Sequence, residues 1–142
     1  MQTSARNQFS GEVAVFTRGS VNDEVVLRTA DGLEIVAIIT HGSALSLDLS
    51  VGKAATALVK ASSVILMVDV SAAQVSARNC IVGVVKAIEK GAVNSEVIVE
   101  AAGGAQIASI ITNSSVDRLA LGVGKPATAI FKASSVIVAV GA

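Results

Sequence analysis

Short apolar stretches rich in β-branched residues follow one another along this chain, broken at regular places by glycines and polar residues. Residues 11–16 and 21–29 read as strands. Asp31-Gly32 is a two-residue hairpin signal, and residues 33–40 form the returning strand. At Ser43-Ala44-Leu45-Ser46-Leu47-Asp48-Leu49 the spacing changes to that of a single short helix with a serine cap near its start. Gly52 then turns the chain into a strand ending at Lys60, and residues 64–68 close the set. Five short strands with one brief helix predict a small, partly open barrel of the OB type.

The whole pattern then returns. Ser4-Ala5-Arg6-Asn7 recurs as Ser76-Ala77-Arg78-Asn79, and the same shift of 72 positions aligns residues 4–68 with 76–140 without a gap. Lys60-Ala61-Ser62-Ser63-Val64-Ile65 matches Lys132-Ala133-Ser134-Ser135-Val136-Ile137. Gly19-Ser20-Val21-Asn22-Asp23-Glu24-Val25 matches Gly91-Ala92-Val93-Asn94-Ser95-Glu96-Val97. The expected organisation is all-β apart from one short helix per repeat: two tandem OB-fold-like five-stranded barrels, residues 1–69 and 70–142. The joining stretch, 69–75, is too short and apolar for a free tether. A unit of ~65 residues buries little surface, so oligomerisation is expected to supply the rest.

Composition narrows the function classes. The chain has 142 residues, 52% of them hydrophobic, yet no run approaches the ~20 apolar residues of a membrane helix. Residues 1–7 lack the apolar core of a signal peptide and Cys80 is the single cysteine, which together favour the cytoplasm. Eleven basic and eleven acidic side chains give a formal charge of +0, and the aromatics are only Phe9, Phe16 and Phe131. An OB-fold nucleic-acid binder needs a basic groove and stacking rings, so that reading is the weaker alternative. A single His41, matched by Asn113, cannot assemble a nucleophile, base and orienter. No Cys/His cluster has metal-ligand spacing and no glycine-rich phosphate loop precedes a helix, so neither an enzyme nor a cofactor is expected.

What recurs is a set of donors. Ser4 with Arg6, and Lys60 with Ser62, are spaced by two, which on extended strands puts both members of a pair on one face; Ser76 with Arg78 and Lys132 with Ser134 repeat this. Two cations, two hydroxyls and no carboxylate suit a tetrahedral dianion, whose oxygens only accept. A weaker second oxyanion site is expected at Gly19, Ser20, Val21 and Asn22 and at Gly91, Ala92, Val93 and Asn94, where a glycine-led turn can aim backbone N–H groups at an anion.

Thr3-Ser4-Ala5-Arg6-Asn7, the 19–25 segment, Ile38-Ile39-Thr40, Gly52-Lys53 and Leu58-Val59-Lys60-Ala61-Ser62 together make the chain resemble the molbindin (Mop) family, in its two-repeat, di-Mop form. The resemblance implies OB-like domains that bind molybdate or tungstate in the cytoplasm, for storage and homeostasis and without catalysis. It also implies assembly of two-repeat chains into a homotrimer, with neither nucleic acid nor membrane as partner. Carried onto this chain, it implies anion contacts at Ser4, Arg6, Lys60 and Ser62 and at Ser76, Arg78, Lys132 and Ser134, with backbone N–H groups from Ala61 and Ala133. Thr3 facing Val75 and Ser20 facing Ala92 depart from strict repetition, so equal affinity of the two copies does not follow. The alternative to storage is a molybdate-responsive interaction or oligomerisation module.

Overall fold

The computed structural model describes residues 1–141. The first repeat supplies β1 (Asn7–Thr17), β2 (Asn22–Thr29), β3 (Glu34–Thr40), α1 (His41–Ser46), β4 (Ala54–Val59) and β5 (Ile65–Met67). The second supplies β6 (Asn79–Lys90), β7 (Asn94–Ala101), β8 (Gln106–Thr112), α2 (Asn113–Arg118), β9 (Pro126–Phe131) and β10 (Ile137–Ala139).

Space divides the chain differently from sequence. One compact unit is Met1–Val59 together with the chain from Lys132 onward, and the other is Lys60–Phe131. The first unit holds an antiparallel sheet in the order β10-β4-β1-β2-β3, and the second a sheet in the order β5-β9-β6-β7-β8. The closing strand of each repeat therefore completes the sheet of the other: Ile137 pairs with Leu58, and Ile65 with Ile130. Residues 64–68 and 136–140 thus do not close their own repeats, as the sequence pattern predicts they would, but each other's. Period-two patterning specifies that a segment is a strand and which face is buried, but it does not specify which of two equivalent edges the strand joins.

In the first unit, β10 and the 3-10 turn before it also pack against β3, the opposite edge, so the sheet curls into a half-barrel around its buried face. That face is lined by alternating small apolar residues, among them Val13, Val25, Leu27, Ile35, Ala37, Ala57 and Val59. The second unit repeats the arrangement with Val85, Val97, Val99, Ile107 and Ala129, and with Phe131 where the first has Val59. Ser109 stands where the first repeat has Ala37, and its buried hydroxyl donates to the Val64 carbonyl at 2.7 Å, so the added polar group is satisfied.

β1 begins four residues before the expected 11–16, because Asn7–Glu12 pair with β4 as well. α1 and α2 begin two residues before the predicted serine cap. Thr40 and Thr112 are the caps, each accepting the N–H of the serine three residues on at 3.1 Å. Each helix ends two residues before a position of positive φ that follows its C-cap, Asp48 at 52° and Ala120 at 51°. Among the described residues no helix is long and apolar enough to cross a membrane.

Candidate functional site

The donor residues are set by the ends of strands rather than by the strands themselves. Ser4 and Arg6 precede β1, and Ser76 and Arg78 precede β6. Lys60 has extended backbone, but Ala61–Ser63 is a 3-10 turn, and Lys132 with Ala133–Ser135 repeats this. Lys60 and Ser62 therefore do not share a strand face as their spacing predicts, and neither do Lys132 and Ser134. The turn does the equivalent work: it buries Ala61 and Ala133, each 4% exposed, and leaves Lys60, Ser62, Lys132 and Ser134 at the surface. Ser4, Arg6, Ser76 and Arg78 are exposed too.

Register shows which of them share a sheet end. In the first unit Gln8, Leu58 and Ile137 lie on one rung across β1, β4 and β10. Arg6 is two residues before Gln8 and Ser134 three before Ile137, so the Ser-x-Arg of the first repeat and the Lys-Ala-Ser of the second meet the same end of this sheet. The chain passes from Val59 to Lys60 at that end, one residue beyond the Asn7–Val59 pairing. In the second unit Cys80, Ile130 and Ile65 form the matching rung, which gathers Arg78 and Ser62. Because the closing strands are exchanged, the donor segments of the two repeats are interleaved, an arrangement that one repeat read alone does not reveal.

The loops expected to offer a second site lie at the other end. β1 runs from Asn7 to Thr17 before reaching Gly19, on the order of 30 Å at the usual rise per residue. Ser20, Val21 and Asn22 are exposed, as are Ala92, Val93 and Asn94. Gly19 and Gly91 do not offer their N–H groups outward: Gly19 donates to Asp23 Oδ1 at 2.9 Å, and Gly91 to the Asn94 carbonyl at 2.8 Å. Glycine is required there for a steric reason, since a Cβ would stand 2.1 Å from the Asn22 oxygen at Gly19 and 2.7 Å from the Asn94 oxygen at Gly91. An anion at either loop is left the residues after the glycine.

Beneath the first loop is a pair that single-residue inspection missed. His41 Nδ1 lies 2.9 Å from Asp23 Oδ2, and Asp23 is 1% exposed. Burial pushes the Asp23 carboxyl up, but the Gly19 amide, the hydrogen bond and charge of His41 and the charge of Arg18 outweigh it and hold the pKa below its ordinary value. The available signal was paired departure from the repeat, Asp23 against Ser95 and His41 against Asn113, on the two arms of one hairpin. Lys53, part of the Gly-Lys motif, is structural: its Nζ donates to the carbonyls of Leu47 at 2.6 Å and Asp48 at 3.2 Å, closing the end of α1. Among the described residues no group of three or more His, Cys, Asp or Glu is placed to hold a metal ion.

The family model for the TOBE domain matches this chain twice, at residues 3–66 and 75–138. The molybdenum transport protein ModE of Herbaspirillum seropedicae is 44% identical over 140 residues, covering 99% of this chain and 52% of the relative. The molybdenum-pterin-binding protein MopA of Rhodobacter capsulatus is 42% identical over 139 residues, covering 98% and 52%. The chain thus spans about half the length of these relatives. A crystal structure of the cytoplasmic molybdate-binding protein ModG with molybdate bound superposes with a TM-score of 0.94 at 45% identity, covering 99% of this chain and 100% of that one.

Proposed function

Because the chain belongs to the TOBE-domain family, with one domain in each repeat, we propose that it binds molybdate reversibly and stores it in the cytoplasm, without catalysis. The observation that carries this reading is the end-to-end likeness to ModG, which extends through both repeats. The donors for the anion are Ser4, Arg6, Ser76 and Arg78 together with Lys60, Ala61, Ser62, Lys132, Ala133 and Ser134. Ser20–Asn22 and Ala92–Asn94 provide weaker contacts. Molybdate presents only acceptor oxygens, so guanidinium, ammonium, hydroxyl and backbone N–H groups replace its hydration while the metal stays inside its oxyanion. Tungstate, a tetrahedral dianion of the same kind, fits the same donors.

The sequence repeats 1–69 and 70–142 each contribute a donor set to this binding unit, and the working form is a homotrimer with neither nucleic acid nor membrane as partner. Exposed Val51, Ile65, Val82, Val123 and Ile137 support an assembly that covers apolar surface. The half-length match to the longer relatives favours a second reading, in which the same repeats are the molybdate-responsive part of a larger protein.

Equilibrium dialysis of the chain against molybdate, tungstate, sulfate and phosphate, with elemental analysis, tests the proposal. Retention of molybdate and tungstate over sulfate is expected, and retention of none of them overturns it. Sedimentation of the same sample checks the trimer.

A further inference from the structure

The two repeats hold their second-site loops in the same frame but with different chemistry. In the first, Asp23 sits under the loop with one oxygen on the Gly19 N–H and the other on His41 Nδ1, while the His41 backbone N–H donates to the Val21 carbonyl at 2.9 Å. In the second, Ser95 Oγ donates to Asn113 Oδ1 at 2.5 Å and Asn113 Nδ2 donates to the Gly91 carbonyl at 2.9 Å. The Asn113 backbone N–H donates to the Val93 carbonyl, again at 2.9 Å. The scaffold is the same, but the first repeat carries an acid and a base where the second carries two neutral groups.

The charge beneath the first loop therefore depends on one proton. With His41 neutral, Asp23 leaves a buried negative charge directly under Ser20–Asn22. With His41 protonated, the pair is neutral and an arriving anion meets no repulsion from it. Arg18, which acts on Asp23 from the loop itself, keeps its charge throughout. Glu24 follows Asp23 on β2 and so faces the other side of that strand. β3 has a charge only at Glu34, its far end, and α1 has none within His41–Ser46, with Asp48 beyond its opposite end.

We propose that His41 is a proton-linked control on the first-repeat loop, so that anion binding at Ser20–Asn22 takes up a proton while binding at Ala92–Asn94 does not. This rests on the reading of these loops as anion sites and adds their regulation: lower pH favours loading of one repeat over the other.

His41 is the only histidine, so its imidazole gives one unambiguous NMR titration in the full-length chain. The midpoint is measured with and without saturating molybdate, beside dialysis at about pH 6 and about pH 8, on either side of the usual imidazole range. Molybdate is expected to raise the midpoint by roughly half a unit or more, equivalent to about a three-fold or greater preference of the anion for the protonated form. Asp23→Ser with His41→Asn, which installs the second repeat's pair, is expected to keep molybdate binding and lose its dependence on pH. Molybdate bound in dialysis with an unmoved midpoint overturns this inference alone. No molybdate bound at either pH overturns the storage reading, and this inference with it.

Discussion

Ile137 pairs with Leu58, so the last strand of the second repeat is hydrogen-bonded into the sheet that the first repeat builds. Ending the chain after Phe131 removes β10 and uncovers the edge of β4, while β5, β9, β6, β7 and β8 keep every partner they have. Amide hydrogen exchange is expected to show lost protection in β4 and retained protection in β9, although the deleted residues belong to the repeat of β9. Loss confined to β9 would mean that each closing strand stays with its own repeat.

The features legible in the sequence were those fixed by local pattern. Apolar runs rich in β-branched residues marked β2 and β3 as strands, Asp31-Gly32 marked their turn, and the shift of 72 positions announced the duplication. The strand exchange was not legible, because Ile65 and Ile137 present the same pattern to two equivalent edges and only the folded chain selects between them. The helix starts earlier than the residue spacing predicts because Ser43 does not cap; it donates its N–H to Thr40, three residues before the predicted start. For the donor set, residue types and recurrence were visible, whereas the 3-10 turn at Ala61–Ser63, which turns Lys60 and Ser62 outward, was not. The Asp23–His41 pair escaped notice because each residue taken singly looks like a solvated polar position.

Lys53 closes α1 by donating to two carbonyls that the helix leaves without backbone partners. Lys53→Met keeps most of the aliphatic stem and removes both bonds, so a loss of about 1–2 kcal/mol is expected in denaturant unfolding. Lys125→Met should cost less, roughly 0.5 kcal/mol, since Lys125 is exposed and its Nζ reaches the Ala120 carbonyl at 3.2 Å. Equal losses at the two positions would show that the geometry of the first cap adds nothing.

The acid limb of stability should report Asp23. Its folded pKa lies below the ordinary 3.8, so the unfolded chain binds the proton more readily than the folded one. The stabilisation is therefore fully present above about pH 4 and lost as pH falls through the folded value. Asp23→Ser, the residue of the second repeat, is expected to flatten the decline of the unfolding midpoint below about pH 4. Glu100 is shifted the same way, by hydrogen bonding and charge from Lys86, but that pair is about half exposed at Lys86 (53%) and 40% exposed at Glu100, and contributes little. An unchanged acid limb in Asp23→Ser would remove Asp23 from the account.

The proposed anion site makes its sharpest demand on the two arginines. Arg6 and Arg78 occupy matching places immediately before β1 and β6, outside the buried faces, so replacing either should leave the fold intact. A guanidinium donating to a dianion makes a charge-assisted hydrogen bond, and its removal is expected to cost about 1.5–3 kcal/mol of molybdate binding, roughly ten- to hundred-fold in Kd. Arg6→Lys should recover only part of this, because an ammonium keeps the charge but not the planar fork. If the donor sets are equivalent, Arg6→Ala and Arg78→Ala each remove one class of site and the double variant removes both, which calorimetric titration at fixed ionic strength separates by stoichiometry. Full-affinity binding in the double variant, with unfolding midpoints unchanged, would place the anion elsewhere on the molecule.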